Sequence, residues 1–552
     1  MTRGPFTALL KLFRDRFSEN DALSEGASLD VNTWQILGFL ATPGFFITLY
    51  LVPTYMAVSL HTRPDFQWEL RADRLFFSAY SFAAAGFATV FQWDMLFPDQ
   101  QDFLALAAFP LRMRDIFAAK LAALGGFLAT VVCAVNVFSL VLIPLLSLSL
   151  PEIRSSGISH ILAAQIVSTV GPSVFAFFAV TGLQGMLINV LSPRVFRRAS
   201  PFVQMALMSL MVMSLLLFPL YSMTLRPLAQ YHPAWLRYFP PYWFAGSFEL
   251  FVPGPDGLFV SLGRFGMKAT GIAASIFALA WGVGYKRHCR RTLESEDVDV
   301  RRRAGYAFEW LLASPEERAV YRFTASTLAR SLKHRLFLAT YLSVGLSFGI
   351  LTVVILTHGV PGISRDGARS FPLLMIFFVV SGFRAGFQFP AQLGANWLFR
   401  LSESNYAEAA RRATRKCVFV FGVLPAVLFF LPAEVFYRGA RTGLFHAVFQ
   451  LLSGAVLIEM LFWNFDRVPF TCSYYPGKRN LALLGVAYLY GFTSYAFRMA
   501  DLEAWLDGSA ERAVAFVACS ITLLALLWQR NARSTALQFD ASEPVIESLN
   551  LS

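Results

Sequence analysis

Glu459 is the clearest ionisable residue inside an apolar run of this 552-residue chain. A carboxylate buried among apolar helices can bind a proton or a cation, or it can hydrogen-bond one helix to another. Arg384 stands near the end of a second apolar run. Beyond these two, acids and bases within the apolar runs are scarce, which speaks against a carrier driven by an ion gradient. Other chemistries lack their residues. The only Gly-Lys pair is Gly477-Lys478, followed by Arg479, and Cys472 stands where a phosphate-cradling loop needs its first glycine. No histidine precedes a glutamate, and no Gly-x-Ser-x-Gly elbow occurs. Cys133, Cys289, Cys417, Cys472 and Cys519 lack the paired spacing of a metal site and read as small buried filler. No catalytic, cofactor-binding or metal-ligating residue is therefore expected. Asp94, Asp99 and Asp102, clustered in one polar loop, could hold a metal–phosphate substrate, which keeps a lipid-modifying membrane enzyme open.

The elements that carry these residues are set by composition. Hydrophobic residues make up 56% of the chain and charged residues only 15%, where a soluble protein approaches a quarter. Apolar runs of about 20 residues, the length that crosses a bilayer core, recur along the sequence. They are continuous rather than alternating, so they predict helices and exclude an outer-membrane barrel. Spans are expected near 35–59, 75–93, 120–148, 161–191, 201–224 and 264–285. A second set is expected near 336–358, 370–389, 417–436, 443–464, 481–497 and 512–529. The fold class is thus an all-α polytopic membrane protein of about twelve transmembrane helices in two six-helix halves. With both termini placed in the cytoplasm, the inner segments carry 32 Lys and Arg and the outer loops 12. That bias supports the orientation. It also gives the net charge of +12 a role in topology and anionic-lipid contact rather than in binding nucleic acid.

The predicted domains are an amphipathic N-terminal helix within 1–33, a first transmembrane half over 34–286 and a charged linker over 287–335. A second half over 336–529 and a tail over 530–552 follow. A short repeat supports the division. Phe6-Thr7-Ala8 opens an amphipathic stretch with Phe6, Leu9, Leu10, Phe13 and Phe17 on one face. Phe323-Thr324-Ala325 opens another, with Tyr321, Ala325, Leu328 and Leu332 at helical spacing. Each precedes the first span of its half, where a basic amphipathic helix lies in the membrane interface as an anchor or as a mechanical part.

The loop after the second span is the most distinctive. Asp99 or Asp102 can cap a short helix that presents Phe103, Leu106 and Ala107 on one face and ends at Pro110; Arg112, Arg114 and Lys120 follow. The pattern fits an ordinary amphipathic turn, or a docking element that passes motion from a bound protein into the spans. It resembles the loop between the second and third helices in permeases of the second family of ATP-binding-cassette exporters, with the type V fold. An amphipathic helix before the first span, six spans per half and the long external segment 225–263 match that family's layout. Members often fold that segment as short helices dipping into the outer leaflet, and here it holds Trp235, Tyr238, Trp243 and Phe248. The equivalent loop of the second half, with Phe389-Pro390, Trp397, Phe399 and Arg400 and an exit at Arg415-Lys416, lacks the acidic-leucine pattern and the second proline.

The resemblance implies a fused permease subunit in a bacterial-type inner membrane, its substrate unknown. It has no cofactor of its own and works with a separate ATP-binding subunit that holds ATP and magnesium. An ion-coupled secondary transporter is the rival, favoured by two halves of six spans.

Overall fold

A computed structural model describes residues 5–18, 33–57, 66–96, 109, 111, 113–148, 157–223, 225–226, 238–251, 256–294, 308–357, 367–391, 403–463, 465–471, 481–531 and 537. These residues are overwhelmingly helical, with no strand among them. Ten helices are long and apolar enough to cross a membrane, so the chain is a multi-pass helical protein in character. The two further expected spans fall on Thr33–Met56 and Leu481–Asp507, which are helical but do not join the ten. The described residues divide at residue 300 into two compact units.

The first unit contains α1 (Pro5–Ser18), α2 (Thr33–Met56), α3 (Phe66–Phe91), α4 (Met113–Ser147), α5 (Ile158–Val190) and α6 (Pro193–Leu216). Short α7 (Pro240–Ser247) and long α8 (Gly257–Glu294) complete it. Small residues let α3 sit at the centre. Ala79, Ala83, Ala84, Ala85 and Gly86 are buried, and a Cβ on Gly86 would collide with Met211 Sδ. Apolar burial gains little where lipid is as apolar as leucine, so close backbone approach and hydrogen bonds hold such helices together. Asn136 of α4 donates to Ser81 Oγ (3.1 Å), and Ser173 of α5 donates to the Ser81 carbonyl (3.1 Å), which joins α3, α4 and α5.

The helix expected over 75–93 begins earlier, at Phe66. Its first turns carry Arg71 and Arg74, placed by the sequence in an outer loop, because partners await them. Arg71 Nε lies 2.7 Å from Glu249 Oε1, and the Arg74 guanidinium lies 3.8 Å from the Phe248 ring centre. Within the segment 225–263, α7 is buried against α3, α5 and α8. Ser78 donates to the Pro241 carbonyl (2.9 Å) and Tyr242 to that of Tyr221 (2.9 Å).

The second unit contains α9 (Pro315–Arg330), α10 (Leu332–Thr357), α11 (Gly367–Gly386) and α12 (Glu403–Val418). A π-helical turn (Phe419–Val423) leads into α13 (Leu424–Arg438), followed by α14 (Ala440–Leu461), α15 (Leu481–Asp507) and α16 (Ala510–Asn531). Here α11 is central, its Phe377, Phe378 and Phe383 packed with Val423, Leu457 and Phe492. The apolar stretch of the second helix is the most buried of its half in both units, 67% in α3 and 72% in α11.

Phe323-Thr324-Ala325 does not open its helix, contrary to expectation. Ser314 caps α9 by accepting from Glu317 N (3.2 Å), the Glu317 carboxylate accepts from Ala313 N (2.8 Å), and Pro315 fills the first position. This reciprocal cap satisfies two otherwise orphan donors and fixes the start nine residues before Thr324. Of the three cysteines whose side chains are described, Cys417 is buried, while Cys133 and Cys519 are exposed and so are not core filler.

The α13–α14 hairpin turns on Gly439 (φ 86°, ψ 158°), a backbone region reserved for glycine, and closes over Gly443, whose Cβ would stand 2.9 Å from Val435 N. Gly439→Ala should therefore cost about 1–3 kcal/mol, with Gly443→Ala also destabilising because backbone is in its way. A Cβ on Gly271 of α8 would stand in open space, so Gly271→Ala should be neutral or gain up to about 1 kcal/mol of helix propensity. Thermal unfolding of the three purified variants in one detergent would show this ordering, and equal melting points would contradict it.

Candidate functional site

Asp99, Asp102, Phe103, Leu106, Pro110, Arg112, Trp397, Phe399 and Arg400 lie outside the described residues. Arg114 is in the first turn of α4, its side chain also outside them. What the structure describes is how the two loops leave and re-enter the helices.

The first loop departs from a fixed point. Trp93 is buried, its indole donates to Ser200 Oγ (3.0 Å), and its carbonyl accepts from Gln184 (2.7 Å). It returns through α4, whose Ile116, Ala119, Ala123 and Leu124 pack against Leu9 and Phe13 of α1. Of the amphipathic face read from the sequence, Leu9 and Phe13 are buried, Leu10 is half-buried and Phe6 is 40% exposed. Lys120 is buried here, with Nζ 5.4 Å from the Phe13 ring centre. At that range an ammonium is attracted by the ring's quadrupole.

The second loop departs beside Phe470, a bulky residue at φ 66°. That conformation is uncommon for such a side chain. It is held by hydrogen bonds from Phe470 N to the Phe387 carbonyl (3.0 Å) and from Ala391 N to the Phe470 carbonyl (3.0 Å). The loop returns through α12, where the basic exit read from the sequence turns inward. Lys416 Nζ lies 2.6 Å from Glu317 of α9 and donates to the Leu311 carbonyl (2.8 Å). Arg415 Nε lies 3.0 Å from Glu459 Oε2 of α14, and Arg411 lies 3.5 Å from Asp466. Glu459, the acid singled out in the sequence, is thus half of a buried ion pair. The apolar side of the same junction is Val320, Tyr321, Ala409, Ala410, Ala413 and Cys417. Burial pushes the Tyr321 phenol up to about 12, so it stays neutral there. In the turn ahead of α9, two hydrogen bonds from Arg322 hold the half-buried Glu309 carboxyl below its usual range.

Both units therefore share one arrangement. The amphipathic helix that precedes the first span packs on the opening turns of the third, and a lysine of the third helix reaches back to it.

A second cluster was not read from the sequence. His446 Nε2 of α14 lies 2.9 Å from Glu434 Oε1 of α13, and its Nδ1 contacts Glu503 of α15. Gln450 donates to Glu434 (2.9 Å). His446, Gln450 and Glu503 are fully buried. The expectation that ionisable groups are scarce among the apolar helices is corrected by this trio. Glu434 and His446 stand inside the spans expected at 417–436 and 443–464 but were not paired with each other, and Glu503 was missed because α15 continues to Asp507, where the sequence placed an external loop from 498. The signal was available: Met499, Leu502 and Leu506 continue an apolar stripe, and Glu503 interrupts it at helical spacing. The two carboxylates flank opposite ring nitrogens, so the three do not converge on one point, and no metal-holding group occurs among the described residues.

An apolar cavity of about 260 Å³ lies in the first unit, bounded by Phe82, Phe175, Leu207, Met211, Tyr238 and Phe239. Comparisons with known protein families, with curated proteins and with solved structures find no match to this chain.

Removing one member of a buried ion pair strands the other charge, which costs roughly 3–5 kcal/mol, whereas an apolar replacement of both is far milder. Glu459→Leu should therefore lower the melting point strongly, and adding Arg415→Met should recover much of the loss. Additive losses in that double-mutant cycle would show that the pair does not interact.

Proposed function

We propose that this chain is the permease subunit of an ATP-driven transporter, with about twelve spans, both termini in the cytoplasm and an inner-membrane location. A separate ATP-binding subunit supplies the energy and holds ATP and magnesium; this chain supplies the substrate pathway and no catalysis. The observation that carries the reading is the junction repeated in both units, Lys120 at Phe13 and Lys416 at Glu317. A force applied to the loops 94–116 and 391–412 enters the third helix of each half where the amphipathic helix grips it. The two move together, so a push at the loop biases one packing arrangement over another. In this reading Asp99 or Asp102 caps the docking turn, Phe103 and Leu106 enter a groove on the partner, Pro110 ends the turn, and Arg112 and Arg114 face the partner's acids. Trp397, Phe399 and Arg400 form the weaker second contact. The layout resembles the second family of ATP-binding-cassette exporters, and the short, buried α7 in the 225–263 segment fits that layout as well.

Ion-coupled secondary transport is the second reading, favoured by the buried Glu434–His446–Glu503 trio. The two differ in energy source. Transport that survives ATP depletion and follows an imposed ion gradient supports the second reading against the first.

The direct test is recovery of the tagged chain from its native membrane. An ATPase should co-purify, and the double variant Phe103→Asp, Leu106→Asp should lose it while still inserting, since each apolar group covered by a partner contributes about 1.5–3 kcal/mol. Unchanged recovery of the ATPase by the inserted variant would remove the loop from the coupling role. Absence of any ATPase from the wild-type preparation would remove the proposal.

A further inference from the structure

The trio of Glu434, His446 and Glu503 has no part in the coupling junction, and its charge needs an account. With a neutral ring the three groups carry two negative charges, with an imidazolium one, and with one carboxyl also protonated none. Burying a net charge away from water is costly unless a partner neutralises it. Among the described residues no lysine or arginine pairs with either carboxylate.

The charged groups on the surrounding helices are engaged elsewhere or face out. Arg369 of α11 pairs with Asp507 (3.3 Å), about one turn beyond Glu503. Arg411 and Arg415 of α12 are held by Asp466 and Glu459. Glu459 is thirteen residues from His446 along α14, roughly 20 Å at 1.5 Å per residue. Arg512 of α16 lies over the Trp505 ring (4.5 Å), and Glu511 beside it is exposed. Arg498 and Asp501 of α15 and Arg441 of α14 are exposed, and Arg438 of α13 is half-buried at the hairpin turn. The nearby packing is apolar, with Leu373, Phe449, Leu506 and Phe516. Several oxygens of the cluster, Glu434 Oε2, Glu503 Oε2 and Gln450 Oε1, are buried without a hydrogen-bond partner. A carboxylate in that position loses its unneutralised buried charge by gaining a proton, which the Gln450 amide cannot do.

We propose that Glu434, His446 and Glu503 form a proton-binding site, neutral when it holds one proton on the imidazole and one on a carboxyl group. Loss of the carboxyl proton leaves two carboxylates on one imidazolium. The cluster then carries a net negative charge that no described counter-charge on the surrounding helices neutralises. Glu434, the least buried of the three, lies one turn from the hairpin end and is the route by which the proton reaches solvent. The site does not depend on which energy source drives the protein, so it can stand or fall separately from the permease reading.

The test is infrared spectroscopy of the purified full-length chain in lipid nanodiscs, titrated in sodium-free choline buffer, with deuterium exchange to identify carboxyl groups. The expected result is a protonated-carboxyl band whose intensity falls as pH rises. It should vanish in the double variant Glu434→Gln, Glu503→Gln and persist in Glu408→Gln, which alters an exposed acid. His446→Gln should move the midpoint by about one pH unit, a tenfold change in proton affinity. A wild type without a titrating band overturns the proposal even if the variants do not fold. So does a band that persists in the double variant, or one abolished at constant pH when sodium replaces choline, which would assign the site to a metal cation.

Discussion

A polar group that these helices take away from water is stabilised only by a partner inside the protein. That constraint shapes the structure more than apolar packing does, because the apolar surface of a membrane-spanning helix is nearly as well accommodated by lipid as by a neighbouring helix. The result is visible at four ion pairs, with the Glu434–His446–Glu503 cluster as the exception. Arg71 is met by Glu249, Arg415 by Glu459, Arg411 by Asp466 and Lys416 by Glu317. Serine and asparagine follow the same rule at lower cost, as Ser81, Asn136 and Ser173 do between α3, α4 and α5. Each pairing fixes a helix end or a helix rotation that apolar contacts alone would leave loosely specified.

The same constraint explains the segment ahead of α8. Eight residues of α7 bury almost entirely against three helices, although so short a helix leaves much of its backbone without internal partners. Neighbours supply some of what it lacks: Ser78 takes the Pro241 carbonyl, and the Glu249 carboxylate just beyond α7 takes both Arg71 and the Asp256 amide (2.8 Å). The aromatic side chains of the segment 225–263 split accordingly. Trp243, Phe244 and Phe248 are buried, while Tyr238 is 83% exposed.

How far the sequence foretold all this depended on the kind of signal. Apolar run length located the helices well, because lipid imposes it directly. Helix ends were harder, since they are set by partners distant in sequence. Arg71 and Arg74 read as loop residues until Glu249 and Phe248 were placed beside them. Glu503 read as external for the same reason, although its place in an apolar stripe was on view. The cap Ser314-Pro315-Glu316-Glu317 was legible from local spacing alone. Glu459 was singled out correctly as a buried acid, but no periodicity could name Arg415, forty-four residues earlier, as its partner.

In the second unit these pairings close a mechanical circuit. From the junction with α9, the chain runs through α12, the π-helical turn and α13 to the Gly439 hairpin. It then returns along α14 to Glu459, which is bound to Arg415 at the starting point. The hairpin is a stiff corner, because Gly443 closes directly on the Val435 backbone. Helices α12 and α14 are tied at their shared end by the ion pair. The π-helical turn and Pro432 inside α13 both interrupt the regular hydrogen-bond ladder of the circuit, and helices bend most readily at such points. Gly422 within it lies against Val379 and Phe383 of the central α11, at 2.9 and 3.0 Å from where a Cβ would stand. A shift of the hairpin relative to α15 is therefore absorbed at Pro432 or at Phe419–Val423, the latter against α11, while the Arg415–Glu459 tie keeps the opposite end fixed. The proton site and the loop junction thus sit at opposite ends of one rigid helix, α14, with the compliant turn on the neighbouring path between them.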